Sequence, residues 1–336
     1  MNRLDVALLR GLRQACGWRS VSDFADALGV DPVRIHERLE VLTAAGFQIE
    51  DRPGQGIRLM GGSDRLVGDD LLSRMDEPPW LREVVVFKET SSTNDHALRL
   101  GRSGAEAGVL FVAERQTAGR GRFGRVWESA PNEGLWCSVL LRPVLQIWAW
   151  PRLTTAAAVG LARGLEISAP VSVKIKWPND LYWNGRKLGG ILMETGVDVR
   201  GEPFAVLGFG INVNQEQFPE YLRGQAASVR IAAGGALQDR PALAARVLEC
   251  LGAALQRAEA GGFDELLEDA RRRSLMLGHW VRLEQAEHPG GTVIEGIAED
   301  LDSEGRLEVR LAGGGLVNCP GGEVTVLAGG WQGMSG

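Results

Sequence analysis

Lysine is nearly absent from this chain. Of its 37 basic side chains, only Lys88, Lys174, Lys176 and Lys187 are lysines, and arginine supplies the rest. Surface ion pairs and solubility therefore do not depend on lysine here. Each retained lysine is a candidate for chemistry that wants a compact ammonium rather than a planar fork, with survival by chance as the competing account. Cysteine is almost as scarce: Cys16, Cys137, Cys250 and Cys319 are scattered and include no CxxC pair. That argues against a disulfide framework or a zinc site and for reduced thiols packed as small hydrophobes. No apolar run reaches the ~18 residues of a membrane span. The start, Met1-Asn2-Arg3-Leu4-Asp5, lacks the basic-then-apolar layout of a secretion signal. The expectation is a cytoplasmic protein with no membrane partner. A length of 336 residues with 44% apolar side chains and a net charge of −6 fits two or three ordinary globular domains.

What is present first is a run of short helices. Leu4, Leu8, Leu12 and Ala15 share one helical face. Ser20 can cap a second helix carrying Phe24 and Leu28 and ending at Gly29. Asp31 and Pro32 then open a third helix, with Ile35, Leu39 and Leu42 facing inward and a stop at Gly46. Two short strands near Phe47–Glu50 and Gly56–Leu59, joined by Arg52-Pro53-Gly54-Gln55, complete the order of a winged helix-turn-helix. Its third helix offers Arg34, His36 and Arg38 to a DNA groove, and the hairpin offers Arg52 and Arg58 to phosphates. Against this, residues 1–60 carry eight basic and eight acidic side chains, whereas a DNA reader usually carries a positive excess.

The pattern divides the chain into 1–62 (DNA-binding unit), 63–83 (linker with a short helix), 84–274 (mixed strands and helices) and 275–330. In 84–274 the strands are Val84–Lys88, Val109–Glu114, Leu135–Leu141, Val171–Trp177, Ile191–Glu194 and Ala205–Phe209. The helices are Asn94–Gly101, Leu153–Ile167 and Pro241–Ala260, the last continuing into Phe263–Arg272. Irregular alternation favours α+β over a doubly wound sheet. In 275–330, Trp280–Glu284, Gly291–Asp300, Leu307–Leu311 and Val324–Leu327 suggest a small β-barrel. The tail Gly329–Gly336 reads as disordered.

Four segments carry chemistry. Gly119-Arg120-Gly121-Arg122-Phe123-Gly124-Arg125 combines glycines, which let backbone N–H groups approach an anion, with arginines that add fixed charge. A disordered nucleic-acid-binding segment is the alternative, but a strand precedes the loop and Trp127 follows it. Lys174-Ile175-Lys176-Trp177-Pro178-Asn179-Asp180 is a half-buried strand with a basic face. It runs into an Asn184-Gly185 hairpin. A two-residue turn sets Trp183 opposite Arg186, Tyr182 opposite Lys187, Leu181 opposite Leu188 and Asp180 opposite Gly189. Asp180 and Lys187 then lie on a diagonal, roughly 7–8 Å apart at the backbone, with room for a phosphate and its Mg²⁺ between them. A surface Asp–Lys pair is the plainer reading. Ser92-Thr93-Asn94 opens a helix and can be a cap alone. Gly208-Phe209-Gly210-Ile211-Asn212 is either a plain strand end or a close backbone approach, followed by a flexible stretch to about Ser228.

Together these segments resemble the bacterial biotin protein ligase family in its form with a DNA-binding domain. The marks are Ser92-Thr93-Asn94, Gln116 with Gly119-Arg120-Gly121-Arg122-x-Gly124-Arg125, Lys176-Trp177-Pro178-Asn179-Asp180, Arg186-Lys187-Leu188-Gly189-Gly190-Ile191-Leu192 and Gly208-x-Gly-Ile-Asn212-x-Asn214. The resemblance implies a winged helix-turn-helix, a central mixed-sheet α+β ligase domain and a C-terminal SH3-like β-barrel. It implies ATP-dependent activation of biotin to biotinyl-5′-AMP, with Mg²⁺, and transfer to a lysine of a biotin carboxyl carrier domain. It also implies operator DNA as a partner and a homodimer when the adenylate is bound.

Carried over by position, Ser92, Thr93, Asn94, Gln116, Gly119 and Gly190 bind biotin, and Arg120, Gly121 and Arg122 line its carboxylate end. Lys187 bridges carboxylate and α-phosphate, and Asp180 serves Mg²⁺ and the incoming lysine. Arg122, Arg125, Lys176, Asn179, Asp180, Lys187 and Asn212 face the nucleotide, with Trp127 near the adenine. Lys187, Arg122 and Asp180 are the catalytic set. Two other readings stay open: a lipoate ligase on a related fold, and a biotin-sensing regulator without catalysis.

Overall fold

The computed structural model describes residues 2–15, 17–76, 78–285 and 292–327; Cys16 and the tail expected to be disordered, Gly329–Gly336, lie outside them. The chain opens with helices α1 (Arg3–Gln14), α2 (Val21–Leu28) and α3 (Pro32–Ala44), then the antiparallel strands β1 (Gln48–Arg52) and β2 (Gly56–Gly61). The local signals explain the boundaries. Ser20 Oγ accepts from the Asp23 N–H, Gly29 takes the left-handed conformation after α2, and Asp31 caps α3 ahead of Pro32. Leu8, Phe24, Ile35, Leu39, Leu42 and Ile57 form one core.

The stretch expected to act as a linker is packed. Helix α4 (Gly68–Arg74) buries Asp70, Leu71 and Leu72. Leu66, Met75 and Leu81 join the main core. Asp70, with its side chain fully buried, pairs with Arg13 of α1 and Arg74 of its own helix. Arg10 donates to the carbonyls of Leu72 and Met75, at 3.3 and 3.0 Å. A charged clasp thus fixes the N-terminal helices to the body of the protein.

A mixed seven-stranded sheet forms that body. Its strands are β3 (Glu83–Phe87), β4 (Val109–Ala113), β5 (Gly134–Leu141), β6 (Lys174–Lys176), β7 (Asp180–Trp183), β8 (Arg186–Val197) and β9 (Pro203–Asn212), in the order β3-β4-β5-β9-β8-β7-β6. Only β3 and β4 run parallel. Helix α5 (Thr93–Arg102) packs over β4, β5, β8 and β9. The other helices are α6 (Pro151–Ser168), α7 (Val229–Ala232), α8 (Arg240–Glu259) and α9 (Phe263–Arg273). The last two are separate helices, because Gly261 takes a positive φ between them. The strand expected over Val171–Trp177 shrinks to β6. Upstream of it, Val173 N–H donates to Glu166 and Val173 C=O accepts from Arg273, so side chains replace a neighbouring strand.

The C-terminal residues form an antiparallel sheet of β10 (Trp280–Gln285), β11 (Thr292–Leu301), β12 (Leu307–Leu311), β13 (Leu316–Cys319) and β14 (Glu323–Val326), ordered β13-β12-β11-β10-β14. Sequence reading missed β13, a four-residue strand after a glycine-rich turn. Val281, Leu283, Ala298 and Leu307 share the core with α6, α8 and the large sheet. Trp177 Nε1 donates to Gly305 C=O at 2.8 Å, which fixes this sheet beside the Lys176–Asp180 turn. No helix among the described residues is long and apolar enough to cross a membrane.

Candidate active site

A cavity of about 510 Å³ opens over β5, β9 and β8, and it gathers all the sequence-predicted biotin and nucleotide residues except Gly119. Four distant stretches supply its wall: the start of α5, the arginine loop, the β6–β7–β8 segment and residues 212–226. The C-terminal sheet adds Gly322, Glu323 and Val324.

At one end, the buried start of α5 meets the floor of the sheet. Thr93 N–H donates to Gln116 Oε1 at 2.8 Å, and Gln116 Nε2 donates to Ser129 Oγ at 3.1 Å. Thr93 Oγ1 lies 2.6 Å from Ser138 Oγ, and Ser138 donates to Asn94 Oδ1. Asn94 Nδ2 donates to Glu194 at 2.6 Å. A Cβ on Gly208 would sit 2.1 Å from Asn94 Oδ1, so glycine here makes room for a side chain rather than marking a plain strand end. Gly210 does the same for Trp127, whose Nε1 would lie 2.4 Å from an added Cβ. That indole N–H is buried and finds no acceptor among the described residues. Trp127 stands edge-on to Trp136 and under Lys187, whose Nζ is 5.3 Å from its ring.

Midway, Lys187 Nζ and Asp180 Oδ1 pair directly at 2.8 Å. The expected hairpin register holds only near the turn. Asn184 and Gly185 take positive φ, and Trp183–Arg186 and Tyr182–Lys187 face each other. Leu181 then faces Gly189 and Asp180 faces Gly190. Leu188 is the extra residue of a bulge, buried in the core. Asp180 and Lys187 stay on a diagonal, and their side chains close it as a direct ion pair. Behind it, burial lowers Lys176 below the usual ammonium range, and Lys187 and Arg125 add to this while Asp180 opposes it. Burial also pushes the Tyr182 phenol up to about 12.

The arginines divide. Arg120 is held by two carboxylates, Asp95 at 2.5 Å and Glu194 at 3.2 Å. Arg122 donates to Asn179 Oδ1 and to the Gly322 carbonyl, both at 3.2 Å. Arg125 pairs with Glu323. The loop is therefore pinned between the sheet and β14. Asn212 turns away from a purely ligand-facing role: its amide donates to Ala227 C=O at 3.1 Å and fastens the stretch after β9. That stretch reaches back to Lys187, whose N–H donates to Gln225 C=O at 2.8 Å. Ser138, Glu194 and Glu323 were missed by sequence reading. Glu194 lies on the same strand face as Gly190 and Leu192, a period-two signal that could have found it. Ser138 and Glu323 carry no local signal.

The DNA-facing set is largely engaged within the N-terminal unit. Arg38 donates to both oxygens of Asp5, at 2.7 and 2.6 Å, and so is a structural brace rather than a free reader. Arg52 and Arg58 both pair with Glu50 and stack on Trp18 at 4.8 and 4.7 Å. His36 faces Asp51 at 3.5 Å, and Arg34 is exposed.

Comparison with known proteins agrees with this geometry. The Biotin/lipoate A/B protein ligase family matches residues 86–212, and the Biotin protein ligase C terminal domain matches 277–327. The biotin–[acetyl-CoA-carboxylase] ligase of Mycobacterium tuberculosis is 38% identical over 71% of this chain and 88% of its own. The bifunctional ligase/repressor BirA of Bacillus subtilis is 35% identical over 67% of this chain and 70% of its own. The structure of the biotin protein ligase from Aquifex aeolicus in complex with biotin and ATP superposes with a TM-score of 0.63 at 28% identity, covering 74% of this chain and 99% of that one. The chain belongs to the biotin protein ligase family.

Proposed function

We propose that this protein activates biotin with ATP and transfers it to a lysine of a biotin carboxyl carrier domain. The observation that carries this reading is the Lys187–Asp180 pair, set in one cavity with the arginine loop and the Ser92–Asn94 helix start. Biotin's carboxylate oxygen attacks the α-phosphorus of ATP, and pyrophosphate leaves. The acceptor amine then attacks the carbonyl of the mixed anhydride, a C–N bond forms, and AMP leaves with the electron pair of the broken C–O bond. Lys187 places a point charge where negative charge grows in the first step. Asp180 receives the acceptor's proton in the second. Gln116 and the start of α5 hold the ring end, while Arg122, Arg125, Lys176, Asn179 and Asn212 face the nucleotide, with Trp127 near the adenine.

No cluster of three or more His, Cys, Asp or Glu among the described residues could hold a metal. Asp180 alone fits an Mg²⁺ ion held chiefly by nucleotide phosphates, the usual mode for that cation. When bound, Mg²⁺ would neutralise phosphate charge. The test is label transfer from biotin to a carrier domain with ATP and Mg²⁺, which disappears when the acceptor lysine is replaced.

A second role as a biotin-responsive repressor is supported by the order α1-α2-α3-β1-β2, which matches a winged helix-turn-helix, and by the name of the Salmonella typhimurium relative. That relative, a bifunctional ligase/repressor BirA, is 30% identical over 86% of this chain. In this reading residues 1–62 bind operator DNA, 84–274 catalyse, and 275–330 form an SH3-like unit. A homodimer formed with the adenylate bound brings two DNA-binding units onto a palindrome.

A further inference from the structure

We propose that Glu194 is a specificity-determining positioning residue, which fixes the direction of a hydrogen-bond chain so that the cavity presents acceptors to ligand N–H groups. This inference rests on the biotin reading above. It follows from counting protons.

The Glu194 carboxylate, paired with Arg120 at 3.2 Å, can only accept from Asn94. The Asn94 partner at 2.6 Å is therefore its NH₂ group, and the amide oxygen is turned toward Ser138. Ser138, fully buried, spends its one proton on that oxygen. The short 2.6 Å link from Ser138 to Thr93 must then carry the Thr93 proton. Gln116 Oε1 lies farther from that hydroxyl, at 3.1 Å, and is served by the Thr93 backbone N–H at 2.8 Å.

The Ser138 and Thr93 hydroxyl protons and one of the two Asn94 amide protons are thus consumed inward. What the chain leaves open, on two residues that line the cavity, is the lone pairs of the Thr93 hydroxyl and of the Asn94 amide oxygen, beside the second Asn94 N–H. Such a wall suits a cyclic urea, which brings N–H donors. It leaves desolvated acceptors unpaired beneath a dithiolane or a plain acyl chain, the arrangement that gives strong rejection. The substrate class selected is a ureido-bearing carboxylic acid rather than lipoate. Glu194 never touches the ligand in this scheme; it acts through Asn94, Ser138 and Thr93.

The test compares calorimetric affinities of the full chain for biotin and for biotin methylated on its ureido nitrogens. The wild type should prefer biotin by about a hundredfold or more. Glu194→Gln keeps the shape but lets the neutral amide and Asn94 adopt either orientation, so the preference should fall about tenfold. Ser138→Ala, which cuts the chain at its centre, should lower the preference as far. Asp95→Asn removes the other carboxylate from Arg120 without touching Asn94 and should keep the wild-type ratio. Wild-type ratios in Glu194→Gln and Ser138→Ala, with unchanged melting temperatures, would overturn the proposal. A wild-type chain that binds biotin, with the ratio lost equally in all three variants, would assign the effect to Arg120 and overturn it too. A wild-type chain that binds neither compound would overturn the ligase reading itself and this inference with it.

Discussion

Asp180 and Lys187 meet on the diagonal of a bulged hairpin, with Oδ1 and Nζ 2.8 Å apart. The pair keeps an ammonium at the cavity, where the other lining lysine is Lys176, lowered by burial. In the proposed reaction this pair opens and Lys187 turns to the reacting phosphate.

Replacing Lys187 by alanine should therefore slow formation of the adenylate by about 10²–10³. Lys187→Arg should not restore the rate, because a planar fork cannot occupy the place of a point charge against Trp127. Single-turnover measurement of biotinyl-AMP checks both. Near-normal rates for Lys187→Ala, with loss in Lys176→Ala, would show that the other lysine does the work.

Gly208→Ala places a Cβ 2.1 Å from Asn94 Oδ1, so Asn94 must leave its position. Displacing a residue proposed to bind biotin should cost about 10² in activity. The expected result is a large rise in the KM for biotin with little change in the KM for ATP. Equal effects on both substrates would place Gly208 outside the biotin end.

Glu114 and Arg240 form a buried pair at 2.7 Å, and Glu114 also accepts the Leu66 N–H at 2.7 Å. Removing one partner strands a buried charge. Glu114→Ala should cost about 3–5 kcal/mol in urea unfolding, while replacing both partners with well-packed apolar residues should cost far less. A loss under 1 kcal/mol for Glu114→Ala would show that water reaches Arg240.

The segments that the cavity gathers were legible in sequence because their residue types are set locally: glycines for close approach, arginines for fixed charge, Asn-Gly for the turn. The helix caps at Ser20 and Asp31 were legible for the same reason. What sequence could not reveal is set by tertiary adjacency. Asn94 and Glu194 are 100 positions apart and meet only because α5 lies across β8. Arg125 and Glu323 meet across 198 positions through the packing of the C-terminal sheet. The register failed at Leu188 because burying that leucine in the core outweighed the regular ladder of a two-residue hairpin. The DNA-facing set failed at Arg38 because periodicity shows which face a residue lies on but not that Asp5 of α1 waits there.

Binding to DNA should be weak without a specific sequence. With Arg38, Arg52 and Arg58 paired to carboxylates, few free cations remain for phosphate contacts, and counterion release supplies most non-specific affinity. Fluorescence anisotropy on a random duplex at physiological salt should give a Kd at the weak end of the usual range, about 10⁻⁴ M. Addition of biotin and ATP should strengthen binding only to duplexes holding a palindromic operator. Tight, sequence-independent binding would mean that the arginines leave their carboxylates for phosphate.

In the proposed function one cavity joins biotin to the α-phosphate of ATP beside Lys187. The most direct measurement is exchange of labelled pyrophosphate into ATP by the purified full chain. The prediction is exchange that depends on biotin and Mg²⁺, requires no carrier protein, and falls by about 10²–10³ in Lys187→Ala. Exchange that proceeds with lipoate but not with biotin, or no exchange by folded protein at neutral pH, would contradict it.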